Sequence, residues 1–441
     1  MGTNATSLPT LTTPIQAIIA LVNKQANQET PVLSTEEQQF VDRLAGRLPN
    51  RKLKGKWVRT EAEVIALPVE EVDVARGLFL SELGSDPDAL KKTEAYEATL
   101  DLMALQILAK LPSQATPEQK IRAMNDYIFF DMGYRFPPHS MYAKDIDLYT
   151  FLPSVIDSRR GVCLGVSILY ICLAQRLNLQ LEMITPPGHI YVRYRKGNQE
   201  INIETTARGI HIDSEEYLGI ETRSLEQHTA KEVIGLAHMN QAAVYWQREQ
   251  PEAALASYQK ALPYLPGYMH LKELMAYNYL LAGQTDQGVA LLKEVKDYLP
   301  DHAITKNTIA EDYLSGNADI EDLSAVFVHV DETRESLLKK RDRLLKAVEK
   351  HPQFRSGLFS LAGTWLQLHR LGESLEVLEK LHQIDNGDPS VEYYLSALYA
   401  ERLDENRSWE HLLRAEEIVE ARGHHPKALK ELRRELLKGH L

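Results

Sequence analysis

At 441 residues the chain is long enough for two or three domains, each with a core of its own. Its 44% hydrophobic and 25% charged residues are those of a soluble globular protein, and the net charge of −12 argues against a general binder of nucleic acid or of acidic membrane surfaces. The two cysteines suit a reducing, cytoplasmic setting. The apolar run from Ala17 to Val22 is too short to span a bilayer and lacks the basic flank of a secretory signal, so no membrane partner is expected. Met1 to Thr6 fits an N-myristoylation pattern, but that pattern is loose.

In chain order, residues 1–33 are rich in Thr, Asn, Gln and Pro and read as a mobile arm with at most one docked helical turn. Ser34-Thr35-Glu36-Glu37 is a capping-box signature ahead of a short helix. Arg47, Arg51, Lys52, Lys54, Lys56 and Arg59 form a basic cluster, which in an acidic chain reads as a solvated linker. From Val69 to Leu111 the apolar spacing predicts helix, broken at Ser85-Asp86-Pro87. Thr116-Pro117-Glu118-Gln119 supplies an N-cap, a proline at the first helical position and a capping glutamine. Tyr134 to Thr150 is aromatic and irregular, with His139 as a loop histidine.

The next stretch, Arg159 to Thr206, carries the chemistry. Apolar side chains fall on every side from Leu164 to Leu177, the mark of a core helix. Cys163 lies in its first turn, where unpaired N–H groups and the positive dipole end favour a thiolate. Cys172 is a buried core cysteine, about 13 Å along the axis and half a turn out of phase, so the two cannot form a disulfide. Gly197-Asn198 is a hairpin turn that pairs Arg195 with Glu200, Val192 with Ile203 and Tyr191 with Glu204. Ile190, Val192, Tyr194, Ile201 and Ile203 then share an apolar face. His189 and Glu204 fall together on the other face, close enough for side-chain contact.

These residues carry a resemblance. A cysteine opening a helix, with a histidine and an acid on successive strands, resembles the core of the transglutaminase-like superfamily over residues 65–220. Arg159-Arg160-Gly161-Val162-Cys163, Ser167-Ile168-Leu169-Tyr170 and Pro187-Gly188-His189 resemble more narrowly its bacterial Sir-B type branch. The resemblance implies an α+β, papain-like fold with helical N-terminal support. It also implies Cys163 as nucleophile, His189 as base and Glu204 as the third member of the triad. The family usually has Asp at that third position; Glu204 keeps the charge on a side chain one methylene longer.

After Thr206 the stretch to about Thr229 carries no strong chemistry, and then the periodicity changes. Tyr245, Ala254, Tyr258, Ala261 and Pro266 are followed 34 residues later by Tyr279, Gly288, Leu292, Val295 and Pro300. That period and those residue types belong to tetratricopeptide repeats, stacked helix pairs. Ala362 and Ser396, Trp365 and Tyr399, and Leu378 and Leu412 repeat at the same spacing. Between the blocks Pro352 lies 52 rather than 34 beyond Pro300, so 18 residues are inserted, near 315–333. Lys427 to Lys438 reads as a capping helix.

The predicted organisation is an arm (1–33), a transglutaminase-like domain (34–230, core 116–220), an all-α repeat solenoid (231–422) and a C-terminal capping helix (423–441), with no core crossing between domain and array. There is no Gly-rich phosphate loop, zinc-binding spacing or dinucleotide fingerprint, and no cofactor or metal is expected; His424-His425 is a tail pair without partners. Two functions remain open. One is a cysteine acyl-transfer enzyme, hydrolysing or transamidating an amide in a protein or peptide that the array recruits. The other is a non-catalytic scaffold that uses the repeat groove.

Overall fold

The computed structural model describes residues 13–137, 149–330 and 333–439. His139 and the Met1–Thr6 pattern lie outside the described residues.

Helix α1 (Thr13–Val22) packs with α2 (Thr35–Ala45) on the long α5 (Pro87–Ala109), through Leu21, Val41, Ala98 and Leu102. The described part of the predicted arm is therefore docked. Behind α1, the Asp157 carboxylate accepts from Lys24 Nζ, the Thr30 N–H and hydroxyl, and the Tyr96 hydroxyl. The predicted caps are in place. Ser34 and Glu37 form a capping box, Asp86 caps α5 with Pro87 at its first position, and Thr116 and Gln119 cap α6 (Pro117–Asn125).

The basic stretch differs from the solvated linker expected. It folds as two short turns, Pro49–Lys52 and Lys54–Trp57, that carry Arg51 and Lys56 inward. Lys56 is bonded to the buried Glu97, which also takes a two-pronged contact from Arg76 at 2.8 and 2.6 Å. Asp101 accepts from Arg51 at 2.6 Å and from the fully buried Arg176 at 2.7 Å. Acids four apart on a buried helix are tolerable only with such partners.

After α3 (Glu61–Ala66), α4 (Val74–Leu83) and α7 (Leu152–Ser158), the core helix α8 runs Cys163–Arg176, apolar and buried along nearly its whole length. It packs on an antiparallel sheet of order β3-β2-β1-β4: β1 Glu182–Thr185, β2 Tyr191–Lys196, β3 Gln199–Ile203 and β4 Glu226–His228. The hairpin register pairs Val192 with Ile203 and Arg195 with Glu200, as read from the sequence, with Gly197 at φ 58° in the turn. Val192, Tyr194 and Ile203 join the same core as α8, with Ile190 and Ile201 packed against it.

The array begins with α9 (Ala230–Gln247) and α10 (Pro251–Ala261), then α11 (Met269–Leu281) and α12 (Thr285–Val295). Two short helices, α13 (Ile309–Leu314) and α14 (Ile320–Val326), lie at and within the insertion, and longer helices resume with α15 (Arg334–Lys350). Then come α16 (Arg355–Gln367), α17 (Leu371–Ile384), α18 (Pro389–Glu401) and α19 (Glu405–Glu420), with α20 (Lys427–Lys438) closing the end. Starts of α10 and α12, α16 and α18, and α17 and α19 are each 34 residues apart. Gly288 lets the helices of one pair meet, since a Cβ there would lie 2.6 Å from the Leu280 side chain.

The core does not stop where the array begins. Val233, Ile234, Leu236 and Ala237 of α9 and Tyr264 belong to the same buried cluster as α4 and α8. Ser81 bonds His238 at 2.5 Å, and Lys231 reaches the Ile65 and Leu67 carbonyls. The expectation of separate cores is thus corrected: α9 has one face for α10 and another for the first domain. The segment Gly219–Arg223 adds a second seam, with the Ile304 N–H donating to the Glu221 carbonyl and Ser390 to its carboxylate.

Candidate functional site

The Cys163 end of α8 is seated by its own backbone. Val162 donates its N–H to the Tyr149 carbonyl at 3.1 Å, and Gly165 faces that strand of chain so closely that a Cβ would lie 2.2 Å from the same oxygen. Cys163 is the first residue of α8 and half-buried, and its N–H is among those that a helix start leaves without an intrahelical partner. Cys172 is buried on the same helix; both cysteines are free.

His189 lies two residues ahead of β2, and Glu204 one residue beyond β3, where the chain turns into Thr205–Ala207. The hairpin brings them together: His189 Nε2 and Glu204 Oε2 are 2.6 Å apart. Cys163 lies beside the same ring, near enough to favour the imidazolium, and Nε2 is the nitrogen that Glu204 engages. Burial alone would lower the His189 pKa, but hydrogen bonds that the ring donates to Cys163 and Glu204, and their charges, raise it from 6.5 to about 9. Burial would likewise raise Glu204. Donors from His189, Thr206 and Tyr217 outweigh it and bring the carboxyl down to about 2.

Two supports were not found by reading the sequence. Tyr217, in the stretch expected to carry no chemistry, donates its hydroxyl to Glu204 at 2.7 Å and stacks on both His189 and Tyr191. Thr205 and Thr206 work as a pair. Thr206 gives Glu204 its N–H and hydroxyl, while the Thr205 hydroxyl meets Ser167 at 3.0 Å and the Cys163 carbonyl at 3.5 Å. The end of β3 is thereby tied to the first turn of α8. The Thr-Thr dipeptide after an alternating strand is a readable turn signal; nothing in the sequence singles out Tyr217.

Cys163 and His189 open onto a cavity of about 530 Å³. Its other wall belongs to the repeats: Met239 and Asn240 on α9, Tyr268 before α11, and Glu273 on it.

Residues 94–246 match the family model described as Transglutaminase-like superfamily. That stretch is a transglutaminase-like domain. It contains Cys163, His189 and Glu204 and runs on through α9. No curated protein matches the chain. Among solved structures it is similar to a thermophilic tetratricopeptide-repeat protein of Thermus thermophilus, at 16% identity over 46% of this chain and 98% of that one, with a TM-score of 0.23. It is also similar to pilF of Pseudomonas aeruginosa, at 17% identity over 47% and 85% with a TM-score of 0.26. MamA matches at 15% identity over 42% and 97%, with a TM-score of 0.22.

Among the described residues, two groups away from the cleft hold three metal-capable atoms within 4.8 Å of one another: His382, Glu392 and His411, and Asp319, Asp322 and His351. Both are closed by hydrogen bonds within the group, His382 and His411 each bonding one oxygen of the buried Glu392 and His351 bonding Asp322. His424 is turned inward onto the Gly219 carbonyl at 2.8 Å, so it is not a free tail residue. No helix among the described residues is long and apolar enough to cross a membrane.

Proposed function

We propose that the protein is a cysteine acyl-transfer enzyme acting on an amide in a protein or peptide, with Cys163 as nucleophile, His189 as general base and acid, and Glu204 as the group that orients the imidazole. The observation that carries this reading is an imidazole held on Glu204 at 2.6 Å that lines one cavity together with Cys163, the first residue of a helix. The closer kinship to the Sir-B type branch, suggested by residues 159–163 and 187–189, belongs to the same proposal.

The chemistry follows from the placement. His189 takes the Cys163 proton, and Sγ attacks the amide carbonyl carbon. The oxyanion forms beside the unpaired N–H of Cys163. The C–N bond then breaks as His189 returns the proton to the leaving amine, which leaves a thioester. Water or a second amine, deprotonated by His189, attacks that thioester, and the sulfur departs and recovers its proton. Glu204 holds the imidazolium through both halves. The repeats recruit the substrate protein.

The test is a trapped adduct. The protein is incubated with cellular proteins, quenched in acid and digested for mass spectrometry. An acyl group on Cys163, absent from Cys163→Ala, is the expected result. If Cys163→Ala instead keeps the biological activity of the wild type, the protein is a scaffold.

A further inference from the structure

The cleft at Cys163 does not end at the domain. Pro187, Thr222 and His302 line it and also line a second cavity, of about 410 Å³, on the inner side of the array. That second cavity is walled by Ser356 and Phe359 of α16, by Ser390 of α18, and by Glu221, Asp385 and Asp388. The two openings are therefore adjoining, with a common rim of three residues.

Their charges are one-sided. Glu226 and Glu273 line the first cavity, and Glu221, Asp385 and Asp388 the second. Among the described lining residues, Lys306 and Arg355 are the basic side chains, and both are already engaged. Arg355 bonds Asp312, Glu311 and Asp385, and Lys306 pairs with Glu311 at 3.3 Å. Among the described residues neither Glu226 nor Glu273 has a Lys or Arg partner: Glu226 meets His302 and accepts from the Tyr268 hydroxyl, and Glu273 meets His270 and accepts from the Tyr277 hydroxyl. Glu221 and Asp388 stand beside each other with no Lys or Arg on either among the described residues; their donors are Ser390 and Thr305 hydroxyls and the first N–H groups of α18. Burial and the neighbouring Glu221 charge push Asp388 up to about 7. The two carboxyls share a proton between them in the recess and have no cation of their own among the described residues.

We propose that the two cavities form one binding track for an extended peptide bearing lysine or arginine side chains, with a basic residue seated between Glu221 and Asp388 and the amide to be attacked lying over Cys163. This rests on the acyl-transfer reading for the attack, but not for the binding. The repeats are then one wall of the reaction cleft as well as a recruiting arm, and substrate choice is made where domain and array meet. A main-chain track with charge-matched pockets fits either a tail or a loop of a partner protein.

The test uses full-length Cys163→Ala, so that nothing turns over. The probe is a fluorescein-labelled peptide of alternating lysine and alanine, about 12 residues and so ~40 Å when extended, compared with its glutamate counterpart. The lysine peptide should bind, the glutamate peptide should not, and added salt should weaken the complex. Asp388→Asn, which keeps the helix cap, combined with Glu221→Gln should weaken binding about tenfold. The exposed Glu410→Gln on α19 should change nothing, and a thermal melt of each variant checks folding. In the wild type the lysine peptide should also slow alkylation of Cys163. Equal binding of both peptides, unchanged binding by the double variant, or binding without protection of Cys163 would each overturn the proposal. If only the acyl-transfer reading is wrong, the peptide still binds in the same charge-dependent way, and Cys163 without peptide shows no heightened reactivity.

Discussion

Helix α8 has a charge network at each end, and the two are built differently. At its C-terminal end Arg176 is fully buried against Asp101, which also holds Arg51, while Glu97 beside them holds Lys56 and Arg76. Asp101 and Glu97 each hold two cations, and both acids are buried. At its N-terminal end Cys163 and His189 stand at the edge of a 530 Å³ cleft, with His189 about a quarter exposed and Glu204 behind it almost covered. The closed network anchors the helix. The half-open one leaves Cys163 and His189 lining a cleft, with Glu204 behind the ring.

The difference can be broken from the closed end first. Asp101→Asn strands Arg176 as a buried cation and leaves Arg51 with Asp42 alone, and we expect a loss of about 3–5 kcal/mol in urea unfolding. Glu204→Gln, at the open end, should leave the fold in place. It should cut the alkylation rate of Cys163 at pH 6 by about tenfold, because an imidazolium without its carboxylate gives up its proton more readily.

The pH dependence sharpens the contrast. The folded His189 pKa lies above its ordinary 6.5, at about 9, so the pair's stabilisation through His189 is fully present below 6.5 and lost as pH rises through about 9. Glu204, lowered from 4.5 to about 2, contributes above 4.5 and loses its share as pH falls through about 2. The stability advantage of wild type over Glu204→Gln should therefore be widest between about pH 4.5 and 6.5 and close on both sides, as followed by denaturant titration. The smallest effect expected is that of Tyr217→Phe, which keeps the stacked ring and removes one donor from Glu204. It should raise the Glu204 pKa from about 2 towards 4.5 in an NMR titration and change the alkylation rate of Cys163 less than Glu204→Gln does.

What could be read from the sequence was whatever periodicity encodes. The alternation of residues 190–203 determines which side chains share a face, and one turn dipeptide sets the register, so His189 could be placed beside Glu204 before any coordinates. The 34-residue spacing works the same way for the array. Charge counts failed at Arg51 and Lys56, because a basic run looks solvated until its partners are known. Those partners, Glu97 and Asp101, lie 41 and 50 residues further on. A hint was available: two acids four apart on a helix stretch with Ala95, Ala98, Leu102 and Ala104 around them need buried cations. Tyr217 and the repeat wall of the cleft belong to the other class, loops and domain seams, where position is set by tertiary packing and no repeat announces it.

The central claim, that Cys163 is an activated nucleophile held by His189, is most directly tested by alkylation of the native protein with iodoacetamide at pH 6. A free thiol with an ordinary pKa of about 8.5 is then almost wholly protonated and slow. Burial pushes the Cys172 thiol still higher, which makes it the internal reference. Peptide mass mapping should find Cys163 modified at least ~10 times faster than a free thiol, Cys172 unmodified until denaturation, and the Cys163 advantage gone in His189→Ala. If native Cys163 reacts no faster than the free thiol, or if His189→Ala reacts as fast as wild type, Cys163 is not the nucleophile proposed here.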